Sequence, residues 1–140
     1  MTLRFNYKTI NRPLLGTIKS PSISVSISDN NNTPFNMLAL VDSGADISAI
    51  GKDVAGMLNL DMSGPESIAI GIGGNVKSKE SVMNLKIGND REKYNMRIPV
   101  KILLEKNDFG IILGRRGFFD KFRIEFDQYN EKITFKRNAY

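Results

Sequence analysis

Cysteine and histidine are both absent from this 140-residue chain. Without cysteine there is no disulfide framework and no thiolate metal site, which suits a reducing compartment and leads us to expect a cytoplasmic protein. Without histidine, the chain cannot build Ser-His or Cys-His nucleophilic catalysis, or a histidine metal site. If the protein is an enzyme, we expect carboxylates to act as general acid and base, with no metal and no other cofactor.

Long apolar runs are also missing. The longest contain four or five residues, whereas a membrane-spanning helix needs about 20. The first eight residues, MTLRFNYK, are not followed by the apolar stretch that a signal peptide contains. We therefore expect neither a signal peptide nor a membrane partner.

The chain is basic, with a formal net charge of +5 and a pI of about 9.5. Acidic residues are interleaved with the basic ones, as in Arg91-Glu92-Lys93. A groove for nucleic acid would need an uninterrupted basic stripe with exposed aromatic residues. We interpret the charges as a solvated surface and expect no nucleic-acid partner, although a nucleic-acid-binding β-barrel remains an alternative.

Short β-strands dominate the pattern along the chain. Residues 22–28 alternate strictly between serine and an apolar residue, which is typical of a strand with one buried face. With the first at 3–10, about nine such segments are separated by turn-forming residues, and short helices fit at 52–60 and 115–122. A chain of this length that is 41% hydrophobic fits one domain with its own core. The pattern predicts an all-β barrel or sandwich.

One acidic motif carries the most chemical information. The apolar run 38–41 leads directly into Asp42-Ser43-Gly44-Ala45. The strand would hold the carboxylate rigidly, glycine lets backbone approach closely, and the next amide and hydroxyl can hydrogen-bond it. The chain carries this motif once, whereas water activation by a carboxylate pair needs two. Such a site would be shared between two copies of the chain; the alternative is an ordinary strand-ending turn.

Two further segments complete the pattern. A glycine-rich stretch at 70–75, IGIGGN, lies between two extended segments and predicts the tip of a long hairpin. The apolar strand Ile111-Ile112-Leu113 ends at Gly114 and is followed by Arg115. A plain hairpin tip, and unpaired surface charges at Asp46 and Arg115, are the alternative interpretations.

These three blocks, in this order and at this spacing, resemble the retropepsins, the single-lobe aspartic proteases of retroviruses and their cellular and prokaryotic relatives. The resemblance extends over residues 20–135, and the segment GRRGFFD at 114–120 looks most like the prokaryotic members. It implies an all-β, closed-barrel subunit with one or two short helices that forms a two-fold homodimer. We expect a single domain over 1–140, with 1–19 as an N-terminal extension or a dimer strand.

The resemblance also implies roles for particular residues. Asp42 would be the catalytic aspartate, with Ser43 hydrogen-bonding across the two-fold axis, Gly44 contacting the main chain of a bound peptide, and Ala45 completing the turn. Residues 111–114 would support this turn, and Asp46 would form a structural ion pair with Arg115. The flap that closes over the substrate would consist of Ile70, Gly71, Ile72, Gly73, Gly74 and Asn75.

The predicted function is that of an aspartic endopeptidase. It would act on extended segments of a peptide or unfolded protein through a water molecule activated by two Asp42 carboxylates, one from each subunit. The alternative is a non-catalytic module of the same fold that dimerises or binds peptides. Segments 1–14 and 136–140 do not match the strands that join the viral subunits, so the dimer interface beyond the catalytic turns is not predicted.

Overall fold

The computed structural model describes residues 2–71, 74–105 and 110–138. In this part of the chain there are twelve strands, one α-helix and one 3-10 turn. The strands are β1 Thr2–Asn6, β2 Lys8–Arg12, β3 Gly16–Ser20, β4 Ser22–Ser28, β5 Pro34–Val41, β6 Ser48–Gly51, β7 Glu66–Gly71, β8 Gly74–Gly88, β9 Lys93–Leu103, β10 Ile111–Leu113, β11 Phe122–Asp127 and β12 Lys132–Arg137. The helix α1 covers Lys52–Met57, and the 3-10 turn covers Phe119–Lys121.

A seven-stranded sheet forms the body of the molecule. Its strand order is β4-β5-β10-β6-β9-β8-β7, and β4 also pairs with β8, with Ser26 opposite Lys86. This second pairing closes the sheet into a barrel, whereas β7 extends outside it as a partner of β8 alone. The predicted all-β, closed-barrel fold is therefore confirmed.

The barrel is filled by the inward faces of its strands. Strand β4 shows the alternation that the sequence predicts, with Ile23, Val25 and Ile27 buried. Removing such side chains from water contributes about 1.5–3 kcal/mol each, so this face adds substantially to the stability of the barrel. Further buried residues come from β8 and β9, namely Met83, Leu85, Ile87, Ile98, Val100 and Ile102.

A smaller sheet of three strands, β1-β12-β11, packs beside the barrel. Phe118 is fully buried, with its ring centroid 5.5 Å from that of Phe122 and 5.8 Å from that of Phe135. Tyr94 of β9 meets Phe122 edge-on at 5.7 Å. This aromatic cluster joins the small sheet to the barrel.

The N-terminal region differs from the prediction. The strand expected at 3–10 is broken at Tyr7, because the Tyr7 N–H donates to the Glu131 carbonyl (2.8 Å) and its ring is buried. Strand β1 thus belongs to the small sheet, while β2 pairs with β3 in a separate two-stranded sheet. The sequence did not indicate strand β3 at Gly16–Ser20.

Both predicted helices are shorter than expected. The helix predicted at 52–60 ends at Met57, and Asn59 adopts a positive φ of 53°. The helical segment predicted at 115–122 is reduced to one 3-10 turn, because Gly117 has a φ of 86° that no helix accommodates. In the described ranges, no helix has the length and hydrophobicity needed to cross a bilayer.

Candidate active site

Asp42 stands at the end of a strand in the middle of the barrel wall. Strand β5 lies between β4 and β10 and ends at the buried Val41. The Asp42 N–H donates to the Leu113 carbonyl at 3.0 Å, so β5 and β10 remain attached up to the carboxylate. The Asp42 side chain is half-exposed. A rigid wall therefore presents this carboxylate to the surface.

The turn that follows holds the carboxylate by its own backbone. The Gly44 N–H donates to Oδ1 of Asp42 at 2.9 Å, and the Ala45 N–H donates to the Asp42 carbonyl at 3.2 Å. A Cβ added at Gly44 would stand 3.2 Å from Oδ1, tighter than ordinary packing, so glycine suits this contact. Ser43 is exposed at the apex of the turn. Its hydroxyl is accessible to a molecule that approaches from outside.

Backbone groups of residues 114–116 hydrogen-bond to the turn and to the strand that follows it. The Arg115 N–H donates to the Ala45 carbonyl and the Arg116 N–H to the Asp46 carbonyl, both at 2.9 Å. The Gly114 N–H donates to Oγ of the fully buried Ser48 at 3.0 Å. A Cβ at Gly114 would lie 2.5 Å from the backbone carbon of Ile47, so only glycine permits this approach. The role of Ser48 was not predicted, because a serine within a short apolar strand carries no local signal of a long-range hydrogen bond.

The structure brings Asp46 and Arg115 into contact. One guanidinium nitrogen, Nη2, binds Oδ1 of Asp46, and the other, Nη1, donates to the Ser43 carbonyl at 2.8 Å. The guanidinium thus bridges the Asp46 carboxylate and the Ser43 carbonyl, and it does not bind the carboxylate with both nitrogens. The Arg115 and Asp46 side chains are 53% and 89% exposed, so solvent screens their attraction in a single chain.

The glycine-rich segment forms the end of a long hairpin. Strands β7 and β8 pair antiparallel, with Ile70 opposite Asn75 and Gly71 opposite Gly74. Ile72 and Gly73, the two remaining residues of the predicted flap, lie outside the described residues. Gly74 has a φ of 102°, and the Ile70 side chain is 84% exposed. The hairpin therefore projects an unburied apolar side chain next to its tip.

An apolar surface accompanies the carboxylate. Side chains alternate along a strand, so Leu38 and Leu40 share a face of β5 with Asp42. Ile112 lies beside Leu40 in the parallel β5–β10 pair. Leu38 is 47% exposed, and Leu40 and Ile112 are half-buried. This surface was not predicted from the sequence, although the leucines two and four residues before Asp42 were a signal for it.

The described part of the chain contains no group of three or more acidic side chains that could hold a metal ion. Two concavities of about 350 and 270 Å³ lie elsewhere, around Arg97. Neither is lined by a residue of the 42–46 turn.

Comparisons with known proteins are consistent with this geometry. A family model described as retroviral aspartyl protease matches residues 16–140. A retropepsin-like aspartic protease from Rickettsia conorii has a similar structure, with a TM-score of 0.56 at 18% identity, covering 96% of this chain and 91% of that one. At that identity, the likeness shows the fold alone.

Two other solved structures share the likeness. The EIAV protease complexed with the inhibitor HBY-793 has a TM-score of 0.46 at 25% identity, covering 76% of this chain and 88% of that one. The retroviral protease-like domain of Ddi1 from Leishmania major has a TM-score of 0.43 at 16% identity, covering 84% and 96%. A search of curated proteins finds no significant match.

Proposed function

Because this chain belongs to the retroviral aspartyl protease family, we propose that it is an aspartic endopeptidase whose active site is shared by two copies of the chain. The observation that carries the proposal is the single Asp42 carboxylate, held at the end of β5 by the Gly44 N–H and open to the surface. Each subunit of a two-fold dimer would contribute one such carboxylate.

The turn itself supports the need for a second copy. The reaction requires a base that takes a proton from water and an acid that donates one to the substrate. Asp46 is the other carboxylate of the 42–46 turn, and it already binds the Arg115 guanidinium. Within this turn, Asp42 is thus the carboxylate left for proton transfer, and we infer that the second carboxylate is the partner's Asp42.

The chemistry follows from the repulsion between two like charges. Two carboxylates that face each other across an axis cannot both ionise readily, so they hold one proton between them. The ionised member takes a proton from a water molecule that attacks the peptide carbonyl. The protonated member polarises the carbonyl and then helps to protonate the leaving amine.

The surroundings of Asp42 suit an extended polypeptide. A peptide can add to the β7–β8 hairpin as an extra strand through main-chain hydrogen bonds, with residues 70–75 closing over it as the flap. Leu38, Leu40 and Ile112 provide an apolar surface on the same face as the carboxylate. We therefore infer a preference for apolar side chains beside the bond that is cleaved.

The pH dependence tests this mechanism. Since one proton must be retained by the pair and one carboxylate must be ionised, the rate should be bell-shaped with an acidic optimum. The measurement is kcat/KM for an unfolded protein substrate between pH 3 and pH 9. A rate that rises steadily to the alkaline end would contradict the mechanism, and the absence of cleavage at every pH would favour a non-catalytic module.

Acid unfolding needs a separate control in that measurement. Hydrogen bonds from Ser63 lower the pKa of Asp61 from its ordinary value of 3.8, and hydrogen bonds from Asn130 lower the pKa of Asp127 in the same way. A lowered pKa in the folded state means that the unfolded chain binds more protons, so this stability is lost as the pH falls through and below 3.8. Melting temperatures recorded at each pH separate this loss from titration of the site.

Arg115→Lys tests the support of the catalytic turn. A lysine ammonium cannot span the two acceptors that the guanidinium bridges, Oδ1 of Asp46 and the Ser43 carbonyl. At a half-exposed position, the loss of one such bond corresponds to about 1 kcal/mol, or roughly fivefold in kcat/KM. The control is Arg116→Lys, since the contact of Arg116 with the turn is made by its backbone N–H. Equal losses from both variants would contradict the assignment.

A further inference from the structure

The β2–β3 hairpin is the most exposed part of the described chain. Residues 11–19 are all exposed, and the two strands pair with each other in a sheet separate from the barrel and from the small sheet. The tip carries two leucines, with Leu14 fully exposed and Leu15 74% exposed. Ile18 of β3 adds a further exposed apolar side chain.

The conformation of the tip disfavours a leucine. The Leu15 N–H donates to the Arg12 carbonyl at 3.2 Å, so Pro13 and Leu14 are the central residues of a β-turn. Leu14 has a φ of 68° at the second of these positions, where glycine or asparagine is favoured. Within a single subunit, Leu14 therefore has a strained backbone conformation, and its side chain is not buried against the rest of the subunit. Such strain is typically retained where it serves a function, and contact with another molecule would account for it.

The root of the hairpin lies at the end of the barrel that carries Asp42. Strand β4 runs antiparallel to β5, and its first residue, Ser22, pairs with Leu40. The Val41 N–H donates to the Pro21 carbonyl at 3.0 Å. The hairpin therefore leaves the barrel one strand away from the carboxylate. A second copy must approach this end if two Asp42 turns are to meet.

We propose that the β2–β3 hairpin is a dimerisation arm whose Leu14 and Leu15 pack against a second copy of this chain. The inference rests on the proposed function, because a shared site requires a second copy. A stable interface buries about 1,200–2,000 Å² in total, far more than two short turns at 42–46 provide. In a two-fold dimer both subunits contribute an arm, so the two hairpins would add four exposed leucines to the interface.

The strands at the two ends of the described chain support the same assignment. Strand β1 pairs along its length with β12 of its own chain, with Leu3 opposite Phe135, and both of these side chains are fully buried. These two side chains thus stabilise the subunit and are not available for an apolar contact with a partner. The β2–β3 hairpin, by contrast, carries Leu14 and Leu15 at 74% exposure or more, outside the apolar surface that we assign to the substrate.

An anionic lipid surface is the competing occupant of the tip. The hairpin carries Lys8, Arg12 and Lys19 and no acidic residue, a composition that also suits lipid headgroups. A second copy is favoured because the hairpin is rooted beside Asp42, where the shared site requires one. Binding to lipid vesicles is therefore included as an outcome of the test.

The experiment compares the double variant Leu14→Asn/Leu15→Ser with the control Met57→Ser. Asparagine tolerates the positive φ, so the hairpin and the melting temperature should be retained. Met57 is 52% exposed at the C-terminal end of α1, which follows strand β6 as it runs away from the catalytic end. Sedimentation equilibrium should show a dimer Kd raised about tenfold or more in the double variant, equivalent to 1.4 kcal/mol. The control should keep the wild-type Kd.

The outcomes separate this inference from the proposed function. At protein concentrations above the raised Kd, the double variant should recover wild-type cleavage, because its catalytic turn is unchanged. A wild-type dimer Kd in the double variant would overturn the dimerisation arm. If the same variant also lost binding to anionic vesicles, the tip would be a lipid contact instead. Failure of the proposed function would give a different outcome: the wild-type dimer would cleave no unfolded protein.

Discussion

Replacing Asp42 with asparagine should all but abolish cleavage and leave the fold and the expected dimer intact. Asparagine has nearly the same shape as aspartate, and its side-chain oxygen can still accept the Gly44 N–H that binds Oδ1 in the native turn. The amide cannot take a proton from water. Loss of general acid–base catalysis alone predicts a fall in kcat/KM on the order of 10²–10⁴-fold. The measurement is kcat/KM on an unfolded protein substrate, with melting temperature and sedimentation recorded for the same sample.

A matched control is Asp53→Asn, which removes a carboxylate from α1, beyond β6 and away from the turn. The Asp53 side chain accepts the N–H of the adjacent Val54, and in the described chain it has no hydrogen bond or ion pair with the 42–46 turn. This variant should cleave at the wild-type rate. If Asp42→Asn retained a comparable rate, Asp42 would have no catalytic role.

Dilution should reduce the specific activity of the wild-type protein. If the site exists only in the dimer, the fraction of assembled sites falls as the concentration passes below the dimer Kd. Well below that Kd, a tenfold dilution should lower the activity per chain by about tenfold. Activity should return when the sample is concentrated again, which distinguishes dissociation from irreversible loss. Constant specific activity in a species with the 15.7 kDa mass of one chain would contradict the shared site.

Local patterns in the sequence were sufficient for the elements that define the fold class. The strict alternation at 22–28 gave the full extent of β4, because one buried face fixes a period of two. The apolar run before Asp42 predicted the strand that delivers the carboxylate, and the glycine-rich segment predicted the β7–β8 hairpin. Each of these features is encoded within a few neighbouring residues.

Long-range contacts were beyond the reach of those patterns. The bond from the Gly114 N–H to the Ser48 hydroxyl joins residues that are 66 positions apart, and no local period indicates it. The break at Tyr7 depends on the Glu131 carbonyl, which comes from the opposite end of the chain. The exposure of the Asp46–Arg115 pair likewise depends on how the surrounding segments pack. Such features require the tertiary structure.

The candidate site also has parts that local sequence patterns predict and parts that only the tertiary structure shows. Asp42 and its turn were predicted from the motif and its likeness to a family, whereas the apolar surface of Leu38, Leu40 and Ile112 became visible only with the β5–β10 register. The exposure of Leu14 and Leu15 was also unreadable, since a Pro-Leu-Leu-Gly turn can equally well pack inward. The sequence predicted the candidate reacting group, and the structure located the surfaces around it.

The most direct test of the shared site is a mixing experiment. Wild-type protein and the Asp42→Asn variant are combined in varied proportions, diluted until subunits exchange, and concentrated again before cleavage is measured. If each site needs two Asp42 carboxylates, activity should follow the square of the wild-type fraction, so that an equal mixture retains about one quarter. If each chain carried a complete site, the same mixture would retain about one half, and the shared-site account would be wrong.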